Sequence, residues 1–148
     1  MKAVGFPLVL LLSHWAQAAP CLIHNELPAM IKCAEEGDAV SQYLLGEIYL
    51  LGKEIPQDYA KSFIWTSKAT MQGEKGAQSR LGFDYYNGWG TSKNYVLAYK
   101  WWSLASIGND DPLLRKNMDE LESELSPSEL AAAQKAATDF SERKSRKK

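Results

Sequence analysis

Apolar residues recur at helical spacing along most of this chain, and capping residues or glycines separate one periodic stretch from the next. Leu114, Met118, Leu121 and Leu125 follow i, i+4, i+7, i+11, and Leu130, Ala133, Ala137 and Phe140 line one face of the segment after them. Asp111-Pro112 opens the first of these helices. Ser126-Pro127-Ser128-Glu129 opens the second with a capping box and a proline at its first helical position. Upstream, Asn25 caps a helix to about Glu36, with Pro28 in its first turn and Gly37 as its stop. Helices are then expected over Ser41–Leu51, from the cap Asp58 to Gly73, over Ala77–Asn87, and from the cap Asn94 to about Asn109. Asn109 is expected to take the left-handed conformation that glycine takes elsewhere. The fold class is all-α.

Four of those helices are one pattern written twice. At an offset of 36 residues Gly37 meets Gly73, Gln42 meets Gln78, Leu45 meets Leu81 and Gly46 meets Gly82. The register continues without a gap through Tyr49/Tyr85, Gly52/Gly88, Tyr59/Tyr95, Trp65/Trp101 and Ala69/Ala105. A fixed period in this range indicates stacked supersecondary units. Gly46 and Gly82 sit inside helices, where glycine costs about 1 kcal/mol relative to alanine, so a neighbouring backbone is expected to approach there. Tyr49/Tyr85 and Trp65/Trp101 are expected to supply buried area between neighbouring helices. The boundaries that follow are 1–18, a leader; 19–36, a strap and half-repeat helix; 37–109, two repeats; 110–141, capping helices with polar outer faces such as Glu120, Glu122, Glu124, Lys135 and Asp139; and 142–148, a basic tail.

The leader changes the compartment. Lys2, the apolar run Phe6–Leu12 and the small-x-small sequence Ala16-Gln17-Ala18 form a signal peptide with cleavage after Ala18, too short to span a bilayer. The expected location is the periplasm or outside the cell, with no later membrane segment. Oxidation is permitted there, and the two cysteines, Cys21 and Cys33, are close in sequence. A disulfide would tie the strap to the first helix and contribute ~2–3 kcal/mol. A buried Cys33 thiol with an unpaired Cys21 is the alternative. The formal charge of −1 across 148 residues excludes a bulk polyanion binder, so no nucleic-acid partner is expected. The basic end (Arg143, Lys144, Arg146, Lys147, Lys148) leaves the body acidic and is read as a solvated, frayed tail.

The repeated residues resemble a known family. Ser41, Leu45, Gly46, Tyr49, Gly52, Asp58, Tyr59, Ser62, Trp65 and Ala69 match the Sel-one-like repeat (SLR), a subclass of tetratricopeptide-type α/α solenoids. Ala77, Leu81, Gly82, Tyr85, Gly88, Asn94, Tyr95, Ala98, Trp101 and Ala105 match it again. Glu54 departs from the pattern where Gly90 follows it. The resemblance implies a short α/α superhelix of two Sel-like repeats, closed by the Ser-Pro-x-Glu helix. It also implies a scaffold for protein–protein contacts: an adaptor, a virulence-linked factor, or a periplasmic inhibitor or immunity partner of a secreted toxin. A cysteine-rich subgroup linked to β-lactams implies the alternative, a small hydrolase acting on β-lactams or cell wall.

Candidate chemistry is sparse. His24 is the only histidine after the cleavage site, and two cysteines twelve apart are not a zinc pattern, so no metal, cofactor or catalytic residue is expected. Ser141-Glu142-Arg143-Lys144 has the nucleophile spacing of β-lactamases but falls in the tail and is set aside. Specificity is expected where the two copies differ. Tyr43, Glu47 and Leu50 correspond to Ser79, Phe83 and Tyr86, on a face distinct from the repeated core, and Trp89 extends that stripe. A monomer is expected to bind a protein partner through Tyr43, Glu47, Phe83, Asp84, Tyr86 and Trp89, an aromatic and acidic concave surface. Packing of the aromatic residues against the capping helices is the alternative.

Overall fold

The computed structural model describes residues 26–146 and contains seven α-helices there, with no strand among the described residues. They are α1 (Leu27–Glu35), α2 (Ala39–Leu51), α3 (Tyr59–Gln72), α4 (Lys75–Asn87), α5 (Tyr95–Ser106), α6 (Pro112–Glu124) and α7 (Pro127–Ser145). Each helix from α1 to α5 packs on the next, and α7 returns onto α5. The chain therefore forms an α/α solenoid in which α2–α3 and α4–α5 are the two repeated hairpins.

The caps explain where most helices begin. Asp58, Asn94 and Asp111 accept hydrogen bonds from first-turn amides, and Ser126 and Glu129 form a reciprocal capping box. Two starts lie earlier than the expected Ser41 and Ala77, because those residues stand three places past the true caps. Asp38 accepts from the Ser41 amide at 2.7 Å, and Glu74 accepts from the Ala77 amide. Asn25 lies outside the described residues, and α1 has Glu26 at its N-cap without a side-chain bond. The expected left-handed Asn109 is also corrected. α5 stops at Ser106, and Gly108 takes φ +73° in the turn. Glycine adopts that conformation without the Cβ clash an asparagine would meet.

Both hairpins close in the same way. The Asp58 amide donates to the Tyr49 carbonyl at 2.9 Å, and the Asn94 amide to the Tyr85 carbonyl at 2.8 Å. Their loops differ at Glu54 and Gly90. No residue other than glycine has positive φ among those described, whereas Gly90 has φ +69° and presses against the Tyr59 carbonyl where any Cβ would collide.

Alanine, leucine and aromatic side chains of α5 form the centre. Ala98, Tyr99, Trp102 and Ala105 join Leu114, Leu121 and Ala133, while Trp101 and Leu104 join Leu81, Ala137 and Phe140. Met118, Leu125 and Leu130 pack against the first of these clusters, as their spacing predicts. The matched glycines do admit close approach. Gly46 lies against the Ser62 carbonyl and Thr66 amide, but Gly82 lies under the Trp102 indole, a side chain rather than a backbone. Trp101 is buried edge-on against Phe140, with ring centroids 5.0 Å apart. Its counterpart Trp65 is only half-buried, beneath the Lys68 ammonium. The signal segment and Cys21 lie outside the described residues, and Cys33 is buried in α1. Helix α7 runs on to Ser145, so Arg143 and Lys144 belong to it and not to a frayed tail.

Candidate functional site

The six residues expected to form one partner-binding stripe fall in four places. Tyr43 on α2 is half-buried with its ring against Gly76 at the start of α4. Burial, followed by the nearby Glu47 carboxylate, raises its phenol above the ordinary tyrosine range. Glu47 makes a two-pronged ion pair with Arg80 on α4, at 2.6 Å to Nε and 3.0 Å to Nη2. Phe83 and Tyr86 converge on the buried Trp102, with ring centroids 5.0 and 5.5 Å away, and Tyr86 also stacks on Tyr95. Trp89 turns to the loop end of the first repeat, parallel to Tyr59 at 5.8 Å.

Asp84 is not on the surface at all. It is 1% exposed, and neither carboxyl oxygen has a hydrogen-bond partner among the described residues. Burial pushes its carboxyl up to about 7, with Arg80 opposing and Glu47 adding to the rise. An unpaired carboxylate inside a protein is costly, so the group keeps its proton through mildly acidic pH and gives it up only around neutrality. Enclosed in this way, it is not part of an exposed docking face, contrary to the sequence-based expectation.

Phe83 and Tyr86 form the floor of a small notch with Trp102. Asn87 from α4 and Asn117 and Glu120 from α6 complete its walls around about 200 Å³. The Asn87 side chain donates to the Phe83 carbonyl at 3.0 Å, which fixes the amide at the rim. Glu120 has Lys116 one turn away at 3.6 Å, an exposed pair that solvent screens. Asn87, Trp102, Asn117 and Glu120 were not among the predicted residues. Asn87 stands one turn after Phe83 on α4 and Trp102 comes from α5, whereas only the position of α6 reveals Asn117 and Glu120, and no periodicity within a repeat encodes that. The notch joins an apolar floor to a polar rim, which suits recognition of a protruding side chain. Among the described residues, no group of three or more His, Cys, Asp or Glu is placed to hold a metal ion, and no helix is long and apolar enough to cross a membrane.

Comparison with known proteins agrees with this architecture. The Sel1 repeat profile matches residues 39–74 and 76–110, the two hairpins seen here. The solved structure of a protective antigen present in uropathogenic Escherichia coli strains, which displays an SLR fold, superposes with a TM-score of 0.73. It is 31% identical, over 78% of this chain and 25% of that one. A Sel1 repeat protein from Oxalobacter formigenes superposes with a TM-score of 0.61 at 33% identity, over 64% of this chain and 27% of its own. A chitin synthase regulator of Saccharomyces cerevisiae is 37% identical over 82 residues, which is 54% of this chain and 12% of that protein. The chain thus spans about a quarter or less of each of these proteins. Its tandem hairpins, with their matched caps and glycines, make it a member of the Sel1-like repeat proteins, α/α solenoids that generally act as protein–protein interaction scaffolds.

Proposed function

We propose that this chain is an exported interaction module that holds a protein partner on the face shared by α2, α4 and α6. One observation carries the reading: the Phe83–Tyr86–Trp102 notch, walled by Asn87, Asn117 and Glu120. Aromatic pockets ringed by polar groups are where a few side chains supply most of an interface's binding energy. The name of the yeast relative, a regulator of chitin synthase, supports a role exerted through binding. Export is supported by the Lys2 start, the apolar run and Ala16-Gln17-Ala18. The Cys21–Cys33 strap is supported by the absence of a free cysteine among the described residues. An inhibitor that covers a secreted toxin is one form such a module takes.

Site-specific photo-crosslinking in the native compartment tests the reading. A crosslinking residue at Asn117 is expected to trap one protein, and one at Lys135 on the outer face of α7 is expected to trap none. Glu120→Lys with Asn87→Ala should abolish the adduct while helicity stays unchanged. Equal adducts from both positions, or none from Asn117, would refute it.

A further inference from the structure

The seam between α2 and α4 is closed by a cation of the chain itself, and the seam between α4 and α6 is not. In the first, the Glu47 carboxylate on α2 holds the Arg80 guanidinium of α4 at 2.6 and 3.0 Å. Thirty-six residues on, the same places carry Phe83 and Lys116. Lys116 turns to Glu120 within its own helix, and among the described residues no ion pair joins α4 to α6. The opening left there is the notch of about 200 Å³ over Phe83 and Tyr86.

Donors are the scarce groups in that notch. Trp102 is 1% exposed, and its Nε1 already donates to the Ser79 carbonyl at 3.1 Å, so a guest meets Phe83 and Tyr86 rather than the indole. The Asn87 Nδ2 donates to the Phe83 carbonyl at 3.0 Å, which leaves the Asn87 Oδ1 as an acceptor without a partner among the described residues. The Tyr86 hydroxyl and the Asn117 amide have no hydrogen-bond partner there either, and each can accept as well as donate. Glu120 is the one charged residue among those lining the notch, and a carboxylate only accepts. Its pair with Lys116 is 3.6 Å long with both side chains more than half exposed, so solvent screens it and a guest can compete. Arg115 is engaged with Asp110, while Asp119 beside Glu120 has no ion pair among the described residues. Lys93 lines a separate cavity together with Glu124. From Asp110 to Leu125 the chain carries six carboxylates against two cations.

Resting on the reading of the notch as a partner site, we propose that its occupant is a lysine or arginine side chain of that partner. The methylenes lie over Phe83 and Tyr86, as long cationic side chains do on apolar surface. The charged head makes a charge-assisted bond to Glu120 and donates to the Asn87 Oδ1. The partner thereby supplies to the second seam the cation that Arg80 supplies to the first.

Titrating the ¹⁵N-labelled full chain with acetyl-Gly-Lys-Gly-amide, and with its arginine counterpart, tests this, with the side-chain amides of Asn87 and Asn117 as reporters. Saturable shifts at both are expected. Norleucine in place of lysine keeps the methylenes and removes the charge, and should bind at least about fivefold more weakly. Glutamate at the same place should not bind. Glu120→Gln, an exposed change that leaves the fold in place, should weaken the lysine peptide by at least about fivefold. Lys116→Gln removes the competing ammonium and should tighten it. Equal binding by lysine and norleucine, or tighter binding by glutamate, overturns the cationic occupant and leaves the notch reading standing. No shift up to about 50 mM of either basic peptide also overturns it, whereas the notch reading itself falls only with the Asn117 crosslink.

Discussion

In the first repeat Gly46 rests on the backbone of α3 at Thr66; in the second, Gly82 rests under the indole of Trp102. Ile48 in the first becomes the buried Asp84 in the second, and Gln72 becomes Gly108. Both hairpins place their caps at matching positions and keep the same loop tether, while α5 ends two residues shorter than α3 and different chemistry is buried between them. Backbone plan and recognition chemistry are thus separable here. The matched residues set helix spacing, and the mismatched ones leave an aromatic notch, an unpaired carboxyl and an unpaired Gln78 amide oxygen in the second repeat alone.

Three experiments can break or sharpen that contrast. The largest effect belongs to Asp84. Between about pH 4, where an unfolded aspartate titrates, and about pH 7, where Asp84 titrates when folded, the folded chain holds a proton that the unfolded chain releases. Stability should therefore fall as pH rises through this window, by on the order of 4 kcal/mol. Asp84→Leu should remove this dependence. Urea titrations at both ends of the window measure it, and equal slopes for the two proteins would show that Asp84 is not held protonated.

Next is the glycine pair. Gly82→Ala drives a methyl into the Trp102 ring and should cost about 1–3 kcal/mol. Gly46→Ala meets the rotatable Thr66 hydroxyl and backbone atoms 3.3 Å away, and its better helix propensity offsets part of that strain. It should cost less, and a reversed order of urea midpoints would contradict the packing described. The smallest effect is expected from Gln72→Ala, which leaves Gln42 Oε1 unpaired and makes the first repeat resemble the second. A loss of about 1 kcal/mol is expected, together with faster exchange of amide protons at the end of α3.

Much of the frame was legible because it is written in short-range terms. Asp58, Asn94, Asp111 and Ser126 each cap a helix whose first turn they nearly touch in sequence, so neighbouring residues reveal them. The candidate site was legible only in fragments. Phe83 and Tyr86 lie one helical turn apart and do share a notch, but Asn117 and Glu120 come from α6, about thirty residues away in sequence, and no spacing within α4 points to them. Asp84 was misplaced because a lone aspartate in a helix is ordinarily solvated, and only the packing around α4 reveals that it is enclosed. Trp89 follows Gly88, and the left-handed turn there swings it from the stripe to Tyr59.

The edge-on contact between Trp101 and Phe140 makes the closing helix visible to light. Phe140 belongs to α7, and Trp101 is buried only while that helix is seated. Trp65, at the matching position one repeat earlier, has no such partner ring among the described residues and is half-buried. Lifting α7 from α5 would therefore expose Trp101 and open the Trp102 cluster that Ala133 helps to close, while leaving Trp65 in unchanged surroundings. Intrinsic emission thus carries a built-in reference, and departure of the terminal helix can be followed without a label.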